Sequence, residues 1–152
     1  MKLTPPQIIL IPNGNSSNPK TVRRSEDISI VSIIKFDCNQ SLSMKTKWII
    51  RSNSNRIQLN SVIVTTSSEL FIPLQTLQYG IYQFELTVTM TNSSWFDVSK
   101  STYIEIIPTK IIVNLFYLGT SMVTNGYEQD LLLDPGKYSI DPDNQIFNTS
   151  VS

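Results

Sequence analysis

The 152-residue chain contains no histidine and one cysteine, Cys38, and these two counts decide most of the chemistry open to it. Without imidazole there is no Ser-His or Cys-His nucleophile pair, no histidine general acid or base, and no zinc site built on His. A single thiol closes no disulfide within the chain and cannot by itself make a cysteine-rich metal site. It reads as a small buried hydrophobe near a strand end. Oxygen donors gather once, at Asp130, Asp134, Asp141, Asp143 and Asn144, a set of the kind that hard cations favour. The spacing is not that of an EF-hand, because Gln145 and Ile146 stand where an oxygen ligand and the turn glycine belong, and Asp-Pro and Asp-Asn pairs build turns in their own right. The remaining acids are scattered over outward strand faces and turns, without the pairing that glycoside hydrolysis needs. No phosphate-binding loop, dinucleotide fingerprint or nucleophile elbow is present. The expectation is a chain that is not an enzyme, with no catalytic residues, no cofactor and no metal.

Binding chemistry is constrained as well. Lys+Arg and Asp+Glu both number 12, so no net field gathers nucleic acid or an anionic membrane surface. Lys20, Arg23 and Arg24 form a small basic cluster before Ser25-Glu26-Asp27, which reads as a solvated turn. Asn-x-Ser/Thr sequons stand at Asn15, Asn39, Asn92 and Asn148, each in a region that reads as a loop or strand end, and these are the candidate N-glycosylation sites. Met1-Lys2-Leu3-Thr4-Pro5-Pro6 is broken by two prolines before any helical apolar stretch, and no run approaches the roughly 20 apolar residues of a membrane span. Any export signal or anchor is expected outside this segment, and the segment itself is expected to make no membrane contact.

The elements that would carry these residues follow a two-residue rhythm, the signature of half-buried strands. Tyr82, Phe84, Leu86, Val88 and Met90 fall on one face and Gln83, Glu85, Thr87 and Thr89 on the other, which predicts a central strand with its apolar set inward. Ile28, Ile30, Ile34 and Phe36 form one face of another strand. Val31 and Ile33 make its outer face less polar and call for partial cover there. Shorter strands are expected at Gln7 to Ile11, Lys45 to Arg51 with Trp48 and Ile50 inward, Ile57 to Leu59, Val62 to Val64, Leu70 to Ile72, and Ser101 to Ile107, where Pro108 ends the ladder. About seven short strands separated by Ser, Asn, Gly and Pro clusters predict an all-β, immunoglobulin-like or fibronectin-type Greek-key sandwich over residues 1–108. The core set is Trp48, Tyr82, Phe84, Leu86 and Val88. Tyr82, entering its strand from Leu77-Gln78-Tyr79-Gly80, stands where a tyrosine corner would place its phenol on a backbone carbonyl. After Ile107-Pro108-Thr109-Lys110 an apolar run begins at Ile111 to Tyr117, followed by a strand candidate at Asp130 to Asp134 and a turn-rich stretch. Two strands with open edges are not stable alone, so residues 109–152 are expected to open a second β-sandwich that is truncated here.

The stretch Tyr79-Gly80-Ile81-Tyr82-Gln83-Phe84-Glu85-Leu86-Thr87-Val88-Thr89 resembles the penultimate strand of PKD and fibronectin-type repeats. Leu133-Asp134-Pro135-Gly136-Lys137-Tyr138-Ser139-Ile140-Asp141-Pro142-Asp143 is similar to the opening passage of such a repeat. With Cys38 to Trp48 upstream, the order resembles the receptor-for-egg-jelly (REJ) module of polycystins. Trp48-Ile49-Ile50-Arg51 stands where a typical PKD repeat carries Trp-x-Phe-Gly-Asp-Gly. The resemblance implies a modular ectodomain on the extracellular side of the plasma membrane, part of a large multi-pass protein. Its partners would be the neighbouring repeats of the same chain and an extracellular protein or glycan ligand. The expected function is a force-bearing or ligand-binding module of a polycystin-like receptor, the alternative being a carbohydrate-binding or accessory module of a secreted or cell-surface protein.

Overall fold

The structure, a computed structural model, describes residues 5–36, 43–91, 97–115, 126–127 and 134–144. The chain divides into two compact units, Met1–Ile107 and Pro108–Ser152.

The first unit is all-β and builds two sheets. Its described strands are β1 (Gln7–Ile11), β2 (Lys20–Arg23), β3 (Ile28–Lys35), β4 (Met44–Ser52), β5 (Asn55–Arg56), β6 (Glu69–Ile72), β7 (Gly80–Met90) and β8 (Asp97–Ile107). The smaller sheet runs β1-β3-β6 and the larger β2-β8-β7-β4-β5. Side-chain alternation dictates which face of each is greasy. In β7 every second residue from Tyr82 to Met90 is buried, and β7 lies between β4 and β8. Ile8 and Leu10 of β1, Ile28 and Ile30 of β3, and Leu70 and Ile72 of β6 face them from the smaller sheet. Trp48, Ile50, Ile104 and Ile106 complete the core between the sheets. Sealing such side chains from water contributes about 1.5–3 kcal/mol apiece.

The outer faces differ. The larger sheet carries a polar ladder, with Gln83 Nε2 donating to Ser101 Oγ at 2.9 Å, Thr87 and Ser99 hydroxyls at 2.9 Å, and Arg51 paired to Glu85 at 3.1 Å. The smaller sheet turns apolar residues outward: Ile33 is 41% exposed and Phe71 54%, while Val31 is half-buried.

Two sequence expectations are corrected. Ile57 to Leu59 and Val62 to Val64 are not strands: β5 is two residues long and the chain from Ile57 to Ser68 runs in turns and bends. Ile57, Leu59 and Ile63 still pack against the core, so their alternation is real. The backbone instead touches the edge of β4 at separate points, Ile57 N to Ile50 O at 2.8 Å and Trp48 N to Thr65 O at 2.7 Å. Asn60 ends any ladder between them, its side-chain and backbone oxygens accepting from Val62 N and Ile63 N. The basic stretch beginning at Lys20 is a strand and not a solvated turn; the turn is confined to Arg24–Glu26, where Glu26 N donates to Arg23 O at 2.9 Å.

The second unit is described only in part. The apolar run from Ile111 forms an isolated bridge, Ile112 to Ile140, within the described part of the run. A short helix, α1 (Pro135–Tyr138), follows Asp134, whose Oδ1 accepts from Lys137 N at 3.0 Å as an N-cap. The strand candidate at Asp130 to Asp134 lies outside the described residues apart from Asp134 itself.

Candidate functional site: a clamp between β2 and β8

The feature that sets the first unit apart from a plain antiparallel sandwich is the route of its first twenty-odd residues. β1 pairs with β3 in the smaller sheet, the chain turns through a cis Ile11–Pro12 peptide, and β2 joins the larger sheet. There it runs parallel to β8, from Lys20 opposite Ile104 to Arg23 opposite Ile107. This is the one parallel pair among the described strands. The second strand of the unit is thereby bonded along its last described strand.

Two side-chain choices make that route close. Thr102 of β8 is fully buried, and a polar group sealed from water must find partners. Its hydroxyl donates to Pro12 O at 2.8 Å and accepts from Gly14 N at 2.9 Å, spanning the turn between β1 and β2. Tyr103 N then donates to Gly14 O at 3.2 Å. Gly14 is held so close that an added Cβ would run into the Tyr103 carbonyl and lie 2.8 Å from Lys20 N, so only glycine fits. At the other end Arg24 N donates to Ile107 O at 3.0 Å and Gln75 N to Arg24 O at 2.8 Å, while the Arg24 guanidinium lies 5.3 Å from the Tyr79 ring centre.

The turn before β7 is fixed by similar means. Tyr82 Oη donates to Gln78 O at 2.9 Å, four residues back, and Gly80 adopts φ 138°, a backbone conformation that L side chains rarely enter. Trp48, 2% exposed, donates its indole N–H to Ser67 O at 2.9 Å and so holds the irregular Ile57–Ser68 segment over the sheet edge. A cleft of about 240 Å³ lies beneath that segment, bordered by Trp48, Ile50, Ile57, Leu59 and Asn60. A two-residue turn joins β4 to β5, with Asn53 and Ser54 both at positive φ.

Of the residues singled out in the sequence, Trp48, Tyr82, Phe84, Leu86 and Val88 all lie in the core between the sheets. Asn15 is exposed on the turn between β1 and β2. Cys38, Asn39, Asn92, Asp130 and Asn148 lie outside the described residues. The described acidic residues of the second unit are engaged in local structure. Asp141 accepts from Asp143 N at 3.0 Å and Asn144 Nδ2 at 2.8 Å, and buried Asp143 accepts from Thr109 N at 2.7 Å. Among the described residues no group of three or more His, Cys, Asp or Glu side chains is placed to hold a metal ion. Sequence reasoning missed the clamp, although one signal pointed to it: Thr102 shares the inward parity of Ile104 and Ile106, and a hydroxyl at such a position marks a buried hydrogen bond.

A model of the REJ domain matches residues 32–151. The chain belongs to the REJ domain family. The match begins inside β3 and runs into the second unit, so β1, β2 and the first half of β3 precede it. A mouse protein, "Polycystin family receptor for egg jelly", is 26% identical over 151 residues, covering 92% of this REJ chain. The chain spans about 7% of that relative's length. Among the described residues of the REJ chain no helix is long and apolar enough to cross a membrane.

Proposed function

We propose that the first unit is a non-catalytic, force-bearing ectodomain module of immunoglobulin-like type, one of many in a polycystin-like membrane receptor, with neighbouring repeats of the same chain as its partners. Membership of the REJ family and the likeness to a receptor more than ten times longer support the setting. The strand order, in which β2 of the larger sheet lies beside the last strand while β1 stays in the smaller sheet, supports the immunoglobulin-like type.

The observation that carries the mechanical role is the parallel β2–β8 pair. Tension along the chain reaches β2 through β1, and once β1 is drawn off β3 it pulls the leading end of β2 one way and the trailing end of β8 the other. In a parallel pair these are opposite ends, so the force runs along the strands and loads the ladder in shear. All the bonds must then yield together, whereas an antiparallel hairpin pulled at its open end gives way one bond at a time. Forced unfolding is governed by the barrier, and a shear-loaded ladder raises it.

A pair of proline substitutions tests the reading. Because Arg24 N points to Ile107 O, alternation along the strand turns Val22 N toward β8 and Thr21 N away from it. Val22→Pro removes a clamp donor, and Thr21→Pro removes one on the open edge, where proline is tolerated. In single-molecule extension of the whole chain, Val22→Pro is expected to lower the unfolding force of the first unit clearly and Thr21→Pro to leave it close to wild type. At equilibrium Val22→Pro costs only about 1–3 kcal/mol for the lost bond and the carbonyl it leaves unpaired. Equal forces for the two variants would exclude the clamp as the mechanical element.

A further inference from the structure

We propose that Asn15 carries an N-linked glycan that shields the open edge of β2. The inference rests on the ectodomain reading above, since the donor of such a glycan is a lipid-pyrophosphate-linked oligosaccharide of the secretory lumen. Asn15-Ser16-Ser17 is a sequon, and all three residues are exposed. Asn15 and Asn18 close a two-residue turn, each backbone N donating to the other's carbonyl at 3.2 Å. The Asn15 side chain is already oriented: Oδ1 accepts from Ser17 N at 3.0 Å and from Asn18 N at 2.7 Å. Nδ2 donates to no described residue. The turn stands on a rigid base, because Gly14 immediately before it is buried and bonded on both sides by β8.

Attachment is compatible with every one of those bonds. In the transfer, the sugar C1–O bond to pyrophosphate breaks and a C1–Nδ2 bond forms. Nδ2 gives up one proton and the lipid pyrophosphate leaves. The product is still a secondary amide, so Oδ1 keeps both of its turn bonds. Pro19 and then β2 follow the turn directly. Among the described strands β2 pairs with β8 alone and is an edge of the larger sheet. On its outer side Arg23 is capped by Glu26, whose side chain accepts from Arg23 N at 3.2 Å and whose N donates to Arg23 O at 2.9 Å, which leaves Thr21, nearer the glycan, as the position open to a second chain. A bulky hydrophilic glycan rooted at the head of that strand blocks such pairing without touching the core.

The test uses the full chain secreted from animal cells behind a heterologous signal peptide. Enzymatic deglycosylation in heavy-oxygen water, followed by peptide mapping, reads occupancy at Asn15 directly. Conversion of Asn15 to labelled aspartate in most molecules is expected, together with the loss of one glycan from the gel ladder in Ser17→Ala, which keeps the backbone donors of the turn and destroys only the sequon. The Ser17→Ala protein should melt like wild type and elute as larger species in size-exclusion chromatography. An unmodified Asn15 peptide from folded, secreted chain overturns the site, and an unchanged elution of Ser17→Ala overturns the shielding role. Protease protection of the native protein separates the two claims. Asn15 occupied in the fusion but facing the cytosol in the native protein would sink the ectodomain reading and leave the acceptor turn standing.

Discussion

A chain that begins at Ser32, where the family match starts, will not fold. Removing residues 1–31 deletes β1 and β2 and takes Ile8, Leu10, Ile28 and Ile30 out of the core. It also removes every residue that pairs with β6 among the described strands, Ile28 to Val31 of β3. The smaller sheet is then gone, and the inner face of the larger one, Trp48, Phe84, Leu86 and Ile104 included, meets water. Four buried aliphatic side chains at roughly 1.5–3 kcal/mol each amount to about 6–12 kcal/mol, comparable with the whole stability of an ordinary domain at about 5–15 kcal/mol. Far-ultraviolet circular dichroism and amide dispersion by NMR of residues 32–152 should report an unfolded or loosely collapsed chain, against a cooperative β-sheet transition for residues 1–152. Cooperative unfolding of the shortened chain would mean that the folded unit starts within β3 and that β1 and β2 are ornaments on it.

The largest single-residue effect is expected at Trp48. Its ring fills the space between the sheets and its indole N–H is the donor that ties down Ser67. Trp48→Ala is expected to cost about 3–5 kcal/mol, since both the cavity and the lost burial count against the folded state. Trp48→Phe keeps an aromatic ring but leaves Ser67 O without its donor, for a smaller loss of about 1–3 kcal/mol. With a urea m-value of about 1–3 kcal/mol/M for a small domain, the alanine variant should shift the denaturation midpoint clearly and further than the phenylalanine variant. The ordering separates packing from hydrogen bonding. Should Phe and Ala prove equally damaging, the indole bond and not the ring volume would be the dominant contribution.

How far the fold could be read from the residues depends on what the side-chain pattern reports. Alternation from Tyr82 to Met90 reports burial on one side, and it identified a central strand because both neighbours impose the same inward parity. The same alternation at Ile57, Leu59 and Ile63 also reports burial, and those residues do lie against the core. It does not report whether the backbone pairs, and there the described chain makes two isolated backbone-to-backbone bonds to β4 instead of a ladder. β2 was illegible for the opposite reason. Of Lys20, Thr21, Val22 and Arg23 only Val22 turns toward the core, so an edge strand looks like a polar turn until its partner is known. That partner lies more than eighty residues downstream in β8 and is parallel to it, a pairing that no local pattern encodes. The clamp followed it out of sight: Gly14 is constrained by Tyr103 and Lys20, and Thr102 by Pro12 and Gly14, all contacts made only once the sheets close. The acidic stretch near Asp141 shows the converse, where turn chemistry written in Asp-Pro and Asp-Asn is also what the structure builds.

The direction in which the first unit is loaded tests its proposed role most directly. Attaching one handle at Glu26, replaced by cysteine with Cys38 changed to serine, and the other at the C-terminus pulls β2 and β8 apart from the end where Arg23 faces Ile107. That geometry peels the parallel pair bond by bond, whereas loading through residues 1 and 152 draws β1 off β3 and then shears the pair. With both directions loaded in the same Glu26→Cys, Cys38→Ser protein, so that equilibrium stability is identical, a distinctly higher unfolding force is expected through residues 1 and 152 than through the residue 26 handle. Forces that are equal in both directions, or higher when peeled, would contradict the proposed role.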